Sequence, residues 1–154
     1  MLLVLVACAG SSSQAVCDDG AALDAGVVTA TLDGAAWEST ATWVMGGESM
    51  QVNAAAADGW SLTLVAQTTV EGEAITDALG AGSYPVNVDL GPDGGGWVLA
   101  YPSDGDSLSS DSGGGTLSFS EFDGAALQAC FSFDVANDHA ALSASDGAVN
   151  ATGF

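Results

Sequence analysis

From Val28 onward, hydrophobic and polar residues alternate with a period of two. Val28, Ala30 and Leu32 are separated by Thr29 and Thr31, and Asp33-Gly34 follows as a turn signal. Beyond the turn, Trp37, Ser39, Ala41, Trp43 and Met45 define one face and Glu38, Thr40, Thr42 and Val44 the other, up to Gly46-Gly47. Met50, Val52 and Ala54 run to Asp58-Gly59, and Trp60, Leu62, Leu64 and Ala66 continue after it, which predicts a hairpin. Thr68 to Gly82 is irregular, with a short helical turn expected over Glu73 to Leu79.

Tyr84, Val86, Val88 and Leu90 predict a further strand, closed by the Gly91 to Gly96 turn, and Trp97, Leu99 and Tyr101 a short one. Pro102 to Gly115 looks like a long polar loop, after which Leu117 and Phe119 resume the pattern. Asp123-Gly124 then introduces the most regular strand. Leu127, Ala129, Phe131, Phe133 and Val135 take its inner face, and Gln128, Cys130, Ser132 and Asp134 its outer one. A weaker strand is expected near Ala148 to Phe154. Eight to ten short strands with regular turn signals predict a single all-β domain over residues 26–154. Its form is an antiparallel β-sandwich or a partly closed β-barrel.

Composition supports small strands and tight turns: of 154 residues, 21 are Gly and 48% are hydrophobic, but only 7% are aromatic. Charge changes the picture more. Twenty Asp and Glu face no Lys or Arg and one His, a formal net charge of −20. Without side-chain cations, the carboxylates must be solvated, hydrogen-bonded or matched by inorganic cations on the acidic loops. Nucleic-acid binding is excluded, because it depends on Lys and Arg to neutralise phosphates. Arg clamps, P-loop lysines and Schiff-base lysines are excluded on the same ground.

The first residues differ from the rest. Met1 to Ala7 is an apolar run ending in small residues, as at the end of an export signal. It is short and has no basic n-region, which a start codon lying upstream would explain. Leu5-Val6-Ala7-Cys8 resembles the lipobox of bacterial lipoproteins. That resemblance implies cleavage before Cys8, diacylglycerol on its thiol and anchoring in the membrane, with residues 8–25 as a flexible tether. Ala9 after the cysteine implies sorting to the outer membrane. Cys17 and Cys130 remain, and in an oxidising envelope they are a natural disulfide pair; two unrelated thiols, one exposed and one buried, are the alternative.

A second resemblance covers about 120 residues. Asp33-Gly34-Ala35-Ala36-Trp37, Gly82-Ser83-Tyr84-Pro85-Val86 and Gly115-Thr116-Leu117 with Phe131-Ser132-Phe133 are similar to a family of small bacterial lipoproteins of unknown function. Ala129 stands where that family usually has a glycine. The resemblance implies an all-β lipoprotein domain. It assigns no catalytic or ligand residue, since turns and core positions specify a fold more than a function.

Candidate chemistry is thin. His139, in Asn137-Asp138-His139-Ala140, lacks the nucleophile elbow that a hydrolytic triad requires and reads as a solvated loop residue. With Cys17 and Cys130 expected in a disulfide, a single His cannot complete the usual zinc ligand set, so no metal and no cofactor is expected. Asp104, Asp106 and Asp111, with Ser107 and Ser109, would suit calcium in oxygen type but not in spacing. Glu38, Glu48, Glu71, Glu73 and Glu121 show no pairing that suggests a two-carboxylate glycosidase. Trp37, Trp43, Trp60 and Trp97 would stack on sugars if exposed, yet each is expected on the apolar face of its strand. The expectation is therefore a non-enzymatic cell-envelope lipoprotein displaying an acidic β-domain for structural or interaction purposes. A carbohydrate- or calcium-binding module is the alternative.

Overall fold

The computed structural model describes residues 23–46, 49–56, 59–67, 82–86, 95–103, 106–122 and 126–153. Every regular element among them is a strand. These are β1 (Val27–Leu32), β2 (Ala35–Gly46), β3 (Ser49–Ala55), β4 (Ser61–Gln67), β5 (Gly82–Pro85), β6 (Gly95–Tyr101), β7 (Leu108–Phe122), β8 (Ala126–Ala136) and β9 (Ala141–Gly153).

Between the two forms the sequence allows, the structure adopts the barrel, and closes it. Strands pair in the order β7-β6-β4-β3-β2-β1-β9-β8, and β8 pairs with β7 again; β5 adds to the outer part of β7. Neighbours are antiparallel, as hairpins dictate. The one parallel contact, Thr42 with Thr152 and Trp43 with Gly153, has a simple origin. Both β2 and β9 run antiparallel to β1, so they meet parallel to each other just beyond the N-terminal start of β1.

Alternation explains the filling. β1 alternates half-buried and buried residues along its whole length, and β3 does so up to its exposed end. Val28, Leu32, Trp43, Met50, Leu62, Leu64, Leu117, Leu127, Phe131 and Phe133 meet in one core cluster. Eight strands enclose just enough space for their own side chains to fill. Outside, Glu38, Thr40, Ser132, Asp134, Ser143 and Ser145 are exposed. Polar-out and apolar-in is the reverse of a lipid-facing barrel.

The Asp33-Gly34 expectation is met by a two-residue turn with φ of 47° and 80°. Leu32 pairs with Ala35 across it. Such a turn matches the twist of the flanking strands. Its Asp33 also continues the sheet: its N–H donates to the Ser143 carbonyl at 2.9 Å, and its Oδ1 accepts from the Ser143 N–H at 2.9 Å.

Three strand expectations need correction. First, β6 buries Val98 and Ala100, whereas Tyr101, expected inside, is 43% exposed. The ladder decides this, because Leu64 pairs with Val98 and Leu62 with Ala100, and paired residues share a face. Second, Pro102 to Gly115 is not all loop: β7 begins at Leu108, and its pairing with β8 jumps between Ser109 and Gly114. Third, the last strand is not weak but 13 residues long. Leu142 and Ala144 are inner, and so are Val149 and Ala151, because a bulge at Asp146 (φ 52°) inserts one residue and reverses the parity. Of the strand expected at Tyr84 to Leu90, Val88 and Leu90 lie outside the described residues, as does the helical turn expected at Glu73 to Leu79.

Candidate functional site

With the interior filled, candidate chemistry lies on the loops and the outer wall. The up-and-down order brings the ends of β1, β3, β6 and β8 to one end of the barrel, with the Asp33-Gly34 turn and residues 137–140. Asp33, Asp106, Asp138 and His139 are exposed there. Asn137 organises the last of these loops: its Oδ1 accepts from the backbone N–H groups of His139 and Ala140, each at 2.8 Å. Its Nδ2 donates to the Ser107 carbonyl at 3.2 Å, tying the two neighbouring loops together. His139 thus occupies the solvated loop position the sequence predicts.

The other feature is an open groove of about 330 Å³ on the outer wall of the β1–β2 hairpin. Thr29, Thr31, Trp37, Glu38 and Asp146 line it. Thr29 pairs with Glu38 in the ladder, and the Asp146 bulge projects beside Thr31. Glu38 and Asp146 are both exposed, and Ser145 Oγ donates to Asp146 Oδ2 at 3.1 Å. Two water-facing carboxylates beside two hydroxyls can attract cations loosely. Among the described residues no three His, Cys, Asp or Glu side chains converge as metal ligands.

The tryptophans go inward where they are described. Trp43 is 4% exposed in the core, and Trp37 and Trp60 are partly buried against it. Trp37 Nε1 and Ser39 Oγ are buried without a hydrogen-bond partner among the described residues. Trp97 pairs with Val65, not with an inner residue. The acidic stretch with calcium-type oxygen ligands is divided between two settings. Asp106 and Ser107 lie exposed before β7, while Ser109 and Asp111 belong to β7 itself; Asp104, Glu48, Glu71 and Glu73 lie outside the described residues.

Cys130 is the most distinctive of the expected site residues. It is disulfide-bonded and only 1% exposed, although its neighbours Ala129 and Phe131 are the ones that point into the core. Its Sγ rests 3.8 Å from the Ser118 carbonyl oxygen, a packing contact, since a disulfide sulfur has no proton to donate. Cys8 and Cys17 lie outside the described residues. Alternation alone predicts Cys130 wet; the sequence signal for its burial was its expected place in a disulfide.

Comparison with family models, with curated proteins and with solved structures finds no match to this chain. Its class is therefore defined by its own architecture: an eight-stranded, up-and-down antiparallel barrel with a packed interior, whose described outer face is mostly polar.

Proposed function

We propose that this chain is an exported bacterial lipoprotein, anchored through Cys8 in the cell envelope, whose barrel is a non-enzymatic module displayed for structural or interaction purposes. The observation that carries the reading is the lipobox-like Leu5-Val6-Ala7-Cys8 ahead of a barrel that keeps its polar residues outside. The described outer positions of β8 and β9 are polar, which favours attachment through acyl chains, two or three of which hold where one is marginal. Outer-membrane placement follows from Ala9 after the cysteine. The filled interior favours the outer wall and loops as the interacting surface over an internal ligand.

The test is mass spectrometry of the mature N-terminus together with membrane fractionation. The expected result is a chain beginning at diacylglyceryl-Cys8 that sediments with membranes, and a Cys8→Ser variant that is released or unprocessed. A wild-type chain recovered soluble with an unmodified Cys8 overturns the reading.

A further inference from the structure

We draw no further inference here: the strongest candidate, the open groove on the outer wall of the β1–β2 hairpin between Glu38 and Asp146, belongs to the site already described, and its pair of exposed carboxylates comes with no second observation that points to a ligand.

Discussion

Phe131 on β8 and Gly147 on β9 face each other in the ladder, and the phenylalanine ring fills the space that a β-carbon on residue 147 would need. A bulge and an aromatic neighbour are thereby matched: Asp146 turns the strand, and Gly147 makes room for the ring beneath it. Phe131 also stacks on Phe133 at 5.7 Å, so the ring has little freedom to retreat. Gly147→Ala should therefore destabilise the barrel by about 1–3 kcal/mol, the usual cost of overpacking a core. Urea unfolding monitored by circular dichroism measures it, and an unchanged midpoint would show that the ring can shift freely.

Asp33 serves both its turn and the neighbouring strand. Asp33→Asn should keep stability within about 0.5 kcal/mol, because asparagine tolerates positive φ and still offers an oxygen to Ser143 N–H. Asp33→Ala loses both features and should cost about 1–2 kcal/mol. Equal midpoints for the two variants in denaturant melts would assign Asp33 no such role.

Trp37 carries a buried N–H without an acceptor among the described residues. Replacing it by Phe removes some apolar area and also removes an unsatisfied donor, whose burial costs about 1–3 kcal/mol. The two effects oppose each other, so Trp37→Phe should change stability by less than about 1 kcal/mol. A loss above about 2 kcal/mol in the same assay would mean that the indole N–H has a partner.

The charge balance sets the response to salt. Described carboxylates such as Asp24, Asp33, Glu38, Asp106, Asp134, Asp138 and Asp146 are exposed, and no Lys or Arg accompanies them. Their mutual repulsion is screened as the Debye length falls from about 30 Å at 0.01 M to about 3 Å at 1 M salt. Folding brings them closer together than in the unfolded chain, so screening favours the folded state. Calorimetry should show Tm rising by at least about 3 °C over that range. A flat response would mean that bound counter-ions already neutralise the surface.

Strand identity and facing were legible wherever alternation ran unbroken. The inner residues of β1, β3, β4 and β8 coincide with the predicted ones, because a buried face demands every second residue and nothing interrupts the count. Legibility failed at β6, β7 and β9. The inner row in β6 is chosen by Leu62 and Leu64 across the ladder, and local hydrophobicity favoured the other row. In β7 and β9 extra residues shift the register, so the apolar set changes parity midway and looks like loop or weak strand.

For function, the residues themselves determined the lack of cationic chemistry, the lipobox-like start and the solvated place of His139. Tertiary structure alone decided that the sheet closes rather than stacks, because closure depends on β9 finding β1 across nearly the whole described chain. It alone also showed that Cys130, polar-side by its position in the alternation, is sealed from water. Local pattern sets which way a side chain points, while the rest of the fold determines what it meets there.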